Sequence, residues 1–141
     1  PTYFEVFLKQ ITYVSSATDD VTFDTVLSIL DIAHPANKEH GISGMLIYDG
    51  NHFLQYFEGE DAEVEGLWSN IKEDQRHHSI RVMTVSEITE RRYPFWTMGY
   101  LNHKPKVTKL IESITGRPAI DPKTITGEEA ESLLFELSKM L

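Results

Sequence analysis

A primary amide and a phenol are the two polar side chains of this sequence whose placement predicts chemistry. Gln55 lies in the run FLQYFEGE and alternates with Phe53 and Phe57, so it points to the same apolar face as these two rings. A buried amide must have its donors and its acceptor satisfied, or it costs about 1–3 kcal/mol. Tyr13, in the run ITYVSSA, shares one strand face with Ser15. The two residues predict a polar site on an otherwise apolar sheet.

Each of these residues also has an ordinary structural interpretation. Taken alone, Tyr13 is more often a core tyrosine with a bonded hydroxyl, and Gln55 alone favours neither interpretation. Asn37, close to Pro35, fits a helix cap better than a ligand contact when considered alone. The residues by themselves therefore predict only a polar site between the first and third strands. An enzyme or a small-molecule-binding regulatory module could use such a site.

The other candidate residues fit ordinary structure. The adjacent pair His77–His78 has diverging side chains and no acidic or cysteine partner at metal-ligand spacing, so it predicts no metal site. We interpret Glu58 and Glu60 as solvated charges at a strand end. Trp96 and Met98 are more typical of a core than of a site. A Gly-rich phosphate loop, a Walker lysine and a GxSxG elbow are all missing from the sequence, which therefore matches no common enzyme template.

Length and composition limit the class of protein. The 141 residues suit one domain with a core of its own, and the absence of cysteine excludes disulfides and thiolate chemistry. The formal net charge of −9, from 22 acidic and 13 basic residues, argues against direct binding of nucleic acid. No apolar run is long enough to span a membrane and no signal peptide is visible, so we expect a cytoplasmic protein.

The first part of the chain predicts a strand followed by a helix. The strand covers residues 7–15, and Thr22 is the expected N-cap of the helix. Pro35 should kink or restart this helix, because proline removes a donor and clashes one turn back. Gly41 fits the C-terminal cap. The apolar stripe of the helix consists of Phe23, Val26, Leu27 and Leu30.

A hairpin, a second helix and two more strands follow. Asp49-Gly50-Asn51 predicts the hairpin turn, because Asp-Gly tolerates positive φ at the central positions. Asp61 is the expected cap of a helix with the apolar stripe Val64, Leu67, Trp68 and Ile71. The predicted strands of this part are residues 42–48, 52–57, 80–88 and 95–101.

The order β-α-β-β-α-β-β predicts an α+β ferredoxin-like fold with a mixed sheet and one added strand. We expect the first and third strands to be parallel central neighbours with both helices on one face, so that Tyr13 and Gln55 stand together beneath the helices. Two tail helices flank a Gly/Pro linker at residues 116–122, and the second starts with a capping box of Thr126 and Glu129. Because the third strand is apolar on both faces, these helices should cover the other face.

Five sequence blocks in one order resemble the BLUF family, blue-light sensors that hold a flavin in a ferredoxin-like domain. The blocks are ITYVSSA, Asn37 ahead of GISGMLIYDG, FLQYFEGE, DQRH after the second helix, and FWTMG. The resemblance covers roughly residues 8–102. It implies a sensor domain over residues 1–103, a C-terminal helical extension over residues 104–141, and no enzyme activity in this chain.

The resemblance also implies a role for individual residues. Tyr13 matches the photoactive tyrosine, Gln55 the switching glutamine, and Asn37 the residue that bonds the flavin O4/N3 edge. Trp96 and Met98 match the pair that carries the signal out of the site. The remaining cofactor contacts that the resemblance implies are Ser15, Ile29, Ile71, Asp74, Arg76 and His77.

The matched residue types suit light sensing. A phenol is an oxidisable donor, so excited flavin can take an electron from Tyr13, with the proton following. The Gln55 amide has one donating and one accepting end, so its reorientation would rewire the hydrogen bonds and red-shift the flavin band. Ala36 departs from the family, which often has a second polar residue before the asparagine.

The resemblance further implies a cofactor and partners. The cofactor would be FAD, with FMN or riboflavin as alternatives, held non-covalently. The signal would leave through the fifth strand and the tail helices to a signalling protein or to a homo-oligomer, without direct contact with nucleic acid or a membrane. The competing hypothesis is a ferredoxin-like enzyme or regulatory module that binds a colourless ligand and does not respond to light.

Overall fold

Five strands form one mixed sheet in the order β4-β1-β3-β2-β5. The structure is a computed structural model and describes residues 7–141, so residues 1–6 of the predicted sensor domain lie outside the described residues. The strands are β1 (Leu8–Ala17), β2 (Ser43–Tyr48), β3 (His52–Glu60), β4 (His77–Ile88) and β5 (Gly99–Tyr100). The helices are α1 (Phe23–His40), α2 (Asp61–Glu73), α3 (Lys104–Thr115) and α4 (Gly127–Lys139). The predicted α+β class and element order are confirmed.

The central strands β1 and β3 are neighbours, but they run antiparallel, so the prediction of a parallel pair was wrong. The crossover through α1 returns the chain to the sheet in the direction of β1 and leaves one place empty between β1 and β2. The tight hairpin then reverses the chain and puts β3 into that place. In this register Tyr13 lies directly opposite Gln55. The predicted proximity of these two residues is therefore confirmed.

Helix α1 begins and ends at the predicted caps but does not stop at Pro35. The Thr22 hydroxyl accepts from the amide of Thr25 in a reciprocal capping box, and Gly41 closes the helix in the left-handed conformation with φ 65°. Pro35 lies inside one continuous helix, so the predicted alternative of a restart at this residue was wrong. The carbonyl that its missing N–H would have bonded belongs to Asp31, which is exposed, so water can satisfy it.

The sheet separates two apolar cores. One core lies beneath α1 and α2 and contains Ile11, Tyr13, Val26, Leu30, Phe53, Phe57 and Val64. The other lies beneath α3 and α4 and contains Val14, Leu54, Tyr56, Ile111, Leu133, Leu134 and Leu137. Alternate residues of β1 and β3 enter opposite cores, as their period of two requires. The prediction that the tail helices cover the second face is confirmed.

Several element boundaries differ from the sequence-based expectation, among them those of β5, β4 and α2. β5 has two residues rather than seven, because Pro94 starts a turn in which the amide of Trp96 donates to the carbonyl of Tyr93 at 3.2 Å. β4 begins at His77. α2 begins at Asp61 itself, with Glu60 as an N-cap that makes no side-chain bond. Among residues 7–141, no helix combines the length and apolarity that a membrane crossing needs.

Candidate functional site

A cavity of about 330 Å³ lies between α1, α2 and the sheet, on the face where Tyr13 and Gln55 meet. Its walls are mostly apolar and its few polar side chains come from five different elements or their ends. The predicted site residues that line it are Tyr13, Ile29, Asn37, Gln55, Ile71, Asp74, Arg76, His77 and Met98. The fold therefore brings residues from distant parts of the chain into one pocket.

Three side chains form a hydrogen-bonded row along the sheet side of the cavity. The Tyr13 hydroxyl donates to Oε1 of Gln55 at 2.5 Å, and Nε2 of Gln55 donates to the sulfur of Met98 at 3.4 Å. A thioether can only accept, so the amide nitrogen faces Met98 and the amide oxygen faces the phenol. The weak sulfur acceptor leaves much of the donating capacity of Gln55 available to a bound molecule.

The phenol of Tyr13 remains protonated because it is buried. Only 4% of the residue is exposed. Burial raises the pKa of the phenol above its ordinary value, and the negative charge of Asp74 raises this pKa further. Tyr13 therefore serves as a hydrogen-bond donor at neutral pH.

Asn37 lies in the last turn of α1 and its side chain is not a cap. The backbone carbonyl of Asn37 closes the helix by accepting from the amides of Gly41 and Ile42. The side-chain Nδ2 instead donates to the carbonyl of Thr97 at 2.7 Å. Nδ2 has a second hydrogen and Oδ1 is an acceptor, so the buried amide can still exchange a pair of hydrogen bonds with a ligand.

A pair of opposite charges lies at the rim of the cavity. The Arg76 guanidinium donates to both carboxylate oxygens of Asp74, with distances of 2.6–3.2 Å. The hydrogen bonds from Arg76 are the main cause that holds the pKa of Asp74 below its ordinary value. Ile29 of α1 and Ile71 of α2 provide apolar wall on the two helices. The site thus has an apolar interior and a charged rim.

His77 lines the cavity and Ser15 supports it from behind. Nε2 of His77 lies 2.6 Å from the carbonyl of Ile71, and Nδ1 lies 2.8 Å from the hydroxyl of Ser15. A carbonyl can only accept, so Nε2 carries the proton, and in a neutral ring Nδ1 accepts from Ser15. Ser15 is fully buried and does not reach the cavity, although the resemblance implied a cofactor contact. Its contact to the site passes through His77.

Met98 and Trp96 occupy different environments. Met98 is 3% exposed and lines the cavity, whereas Trp96 is 36% exposed and does not. Both precede β5, in a loop, and not in the strand where they were predicted. The carbonyl of Trp96 accepts from the amide of Gly44 at 2.8 Å, which fixes this loop to β2. In this arrangement Met98, not Trp96, is the partner of Gln55.

Glu58 is a residue whose environment the sequence reasoning misjudged. It is fully buried rather than solvated, whereas Glu60 is exposed as predicted. Glu58 alternates with Leu54 and Tyr56, which enter the core beneath the tail helices. This alternation within a strand that is apolar on both faces was the available signal.

A larger groove lies outside this site. It has a volume of about 990 Å³ and runs between β4 and α4 on the other face of the sheet. It contains none of the predicted site residues, and its lining mixes hydroxyl groups with charges of both signs. The smaller cavity is the better candidate because its polar groups converge on an apolar interior.

The predicted contact residues suit a planar heteroaromatic ring. The cavity volume of about 330 Å³ is at the low end of the range of about 300–1,000 Å³ for small-molecule sites. Asn37 and Gln55 each present an amide with unused hydrogen-bonding capacity, and the two isoleucines offer flat apolar contact. These groups fit the edge and the faces of an isoalloxazine ring.

Comparisons with known proteins show what this chain is similar to. Residues 8–99 match the family described as sensors of blue light using FAD. The chain is 33% identical over 131 residues to the photoactivated adenylate cyclase subunit alpha of Euglena gracilis. The match covers 91% of this chain but only 12% of that protein.

Two solved structures resemble almost the whole chain. BlsA in its ground state has a TM-score of 0.79 and 27% identity, and covers 92% of this chain and 87% of its own. BlrB, a BLUF protein in its dark state, has a TM-score of 0.77 and 26% identity, and the match covers 97% of this chain and 98% of the BlrB chain. The similarity includes the tail helices as well as the sensor core.

Proposed function

Because this chain belongs to the BLUF family of blue-light sensors that use FAD, we propose that the cavity beneath α1 and α2 is its flavin site and that Tyr13 and Gln55 are its switch. The chain is a blue-light sensor that binds a flavin, and the matched domain is a sensor rather than an enzyme. The observation that carries the switch assignment is the row of hydrogen bonds from Tyr13 through Gln55 to Met98.

The proposed flavin contacts divide by chemistry. Asn37 and Gln55 bind the polar edge of the ring through their amides, and Ile29 and Ile71 pack against the ring. Asp74, Arg76 and His77 lie at the cavity rim, where the ribityl chain and phosphates of FAD would leave the pocket. A cofactor that carries a nucleotide needs this exit, and the Arg76 guanidinium is a suitable hydrogen-bond donor to a phosphate group. We therefore propose FAD, with FMN and riboflavin as the alternatives.

The switch depends on the chemistry of the phenol and the amide. When bound, the flavin absorbs blue light and in its excited state is an oxidant for a phenol. Tyr13 lines the cavity with an oxidisable phenol, and its proton already lies on a hydrogen bond to Gln55 Oε1. Reorientation or tautomerisation of Gln55 changes which end faces Tyr13 and which end faces the ligand. Each exchanged bond is worth about 0.5–1.5 kcal/mol net, so the two arrangements differ little and the change reverses in the dark.

We propose that the light signal passes through Met98, and through the loop between β4 and β5 that ends at Met98, to the tail helices. Residues 104–141, which contain these helices, would then be an extension of the sensor domain. The chain spans only 12% of its photoactivated adenylate cyclase relative, so most of that relative lies outside the match. For this chain the receiver is proposed to be a partner protein or a second copy. The cytoplasmic location stays a prediction.

Absorption spectroscopy on purified protein tests the proposal. The protein should be yellow, and blue light should red-shift the flavin band reversibly. Tyr13→Phe and Gln55→Leu should each retain flavin and lose the red shift, because each removes one half of the switching pair. Tyr48→Phe is a matched control, since the buried Tyr48 hydroxyl bonds only backbone carbonyls away from Gln55. A colourless protein that takes up no added flavin would exclude the site, and a shift that survives both substitutions would exclude the switch.

A further inference from the structure

Glu58 holds a carboxylate on the face of the sheet opposite the flavin site, and none of its surface is exposed (0%). Its Oε1 accepts from the Tyr56 hydroxyl at 2.7 Å and from the backbone amide of Arg92 at 2.7 Å. Its Oε2 accepts from the Ser43 hydroxyl at 2.8 Å and from the backbone amide of Tyr93 at 2.8 Å. Four convergent donors make burial of this group tolerable.

The two backbone donors belong to the loop that joins β4 to β5, residues 89–98, called here the β4–β5 loop. Arg92 and Tyr93 lie near its start and Met98 is its last residue. The Arg92 guanidinium pairs with Glu131 of α4 at 2.9 Å. The Tyr93 ring belongs to the same buried core as Ala130 of α4. One end of the loop therefore contacts α4, and the other end contacts Gln55.

Strand β3 carries the amide of Gln55 and also holds the β4–β5 loop. Glu58 follows Gln55 by three residues on β3, so its carboxylate fixes the start of the loop to the strand that carries the switching amide. Because the loop start is fixed, a displacement of Met98 relative to Gln55 must strain the residues between them. A loop without this anchor could absorb the same displacement by sliding.

We propose that Glu58 is the positioning residue that couples Gln55 to α4 by anchoring the β4–β5 loop to β3. The inference rests on the proposed function of Gln55 as the switch. It adds the route of the signal across the sheet, from the flavin face at Met98 to the tail-helix face at Arg92 and Tyr93. It also explains why a strand in the sheet centre carries a buried acid.

Glu58→Gln is the informative substitution because it keeps the shape and removes one acceptor. The amide NH₂ must replace either Oε1 or Oε2, and each oxygen accepts one hydroxyl and one backbone amide. The hydroxyl can rotate and accept, but the backbone amide of Arg92 or Tyr93 cannot. The substitution therefore releases one loop anchor in either orientation. Glu60→Gln is the matched control, since it makes the same change two residues away at an exposed position.

Hydrogen exchange by mass spectrometry on the full flavin-loaded chain, in the dark and under blue light, tests the coupling. In the unchanged protein and in Glu60→Gln, light should alter exchange in α4. In Glu58→Gln, dark exchange of the loop segment that contains Arg92 and Tyr93 should rise about tenfold. The light-induced difference in α4 should fall by half or more while the red shift is retained.

The outcomes separate the two proposals. Loss of the red shift in the unchanged protein would refute the proposed function, whereas a normal red shift without any light-induced change in α4 would refute the coupling. An undiminished difference in α4 of Glu58→Gln, despite faster loop exchange, would show that Glu58 has only a structural role. If Glu58→Gln does not fold, Glu58→Asp keeps the charge and shortens the side chain by one methylene, which withdraws the carboxylate from the backbone amides of Arg92 and Tyr93. It should diminish the α4 difference in the same direction, and an unchanged difference there would overturn the coupling.

Discussion

Replacement of Met98 by leucine should slow the dark recovery of the light-induced state. The substitution removes the sulfur that accepts from Gln55 Nε2 at 3.4 Å and nearly preserves side-chain volume, so the fold should survive with a cost below about 1.5 kcal/mol. A weak hydrogen bond of this kind is worth about 0.5–1 kcal/mol. Since the reoriented amide no longer donates to Met98, the leucine destabilises only the arrangement seen here.

The expected size of the effect follows from that difference. With 1.4 kcal/mol for each factor of ten, the equilibrium constant for recovery falls about two- to fivefold, and the recovery rate falls by no more than this factor. The assay is the decay of the red-shifted flavin band after a blue flash, at one temperature and pH. The amplitude of the red shift should remain, because Tyr13 and Gln55 are unchanged.

Met83→Leu is the matched control for this experiment. Met83 packs against the core on the tail-helix face and has no contact with Gln55, so its replacement should leave recovery unchanged. Faster recovery in Met98→Leu, or an equal slowing in both variants, would refute the reasoning. The first result would mean that the sulfur contact belongs to the light-induced arrangement, and the second that only packing was changed.

Two further predictions concern stability. Gly44→Ala should prevent stable folding, as judged by thermal unfolding, because a Cβ at this position would lie 2.0 Å from the backbone carbonyl oxygen of Tyr56. In α2, by contrast, a Cβ at Gly66 would have no atom within 4 Å, so Gly66→Ala should stabilise the fold by about 0.5–1 kcal/mol. The lowered pKa of Asp74 stabilises the fold above the ordinary carboxyl pKa, and this contribution disappears as the pH falls through the folded-state pKa. Asp74→Asn should therefore lower the unfolding temperature more at pH 7 than at about pH 3, and an equal decrease at both pH values would contradict the role of its ion pair with Arg76.

Local patterns predicted the elements of this protein and the faces of its strands. The alternation of Phe53, Gln55 and Phe57 assigned the amide to one sheet face, and the pattern around Tyr13 did the same for the phenol. These inferences held because alternation in a strand depends only on backbone geometry, and a change of strand direction does not alter it. The error about the direction of β1 and β3 therefore left the predicted proximity intact.

Features that depend on distant partners were not predicted correctly. Residues 95–98, Phe-Trp-Thr-Met, are of types common in strands, but the turn at Pro94 leaves Phe95 91% exposed and places Met98 outside the strand. The helix tolerates Pro35 because the affected carbonyl lies on an exposed turn. The strand-like residues after Pro94 and the proline in α1 were both read correctly as local patterns, but the turn at Pro94 and the exposure of the helix decided their structural effect.

The sequence alone determined that an amide and a phenol share one face of a central pair of strands, because side-chain direction in a strand is a local property. Only the tertiary structure decided that Gln55 faces Met98 and that Glu58 is buried. The burial of Glu58 requires backbone donors that lie 34 and 35 residues further along the chain, and the carboxylate would be solvated without them. Hydrogen bonds across such separations depend on how the loops cross the sheet, and no periodic pattern in the sequence encodes that path.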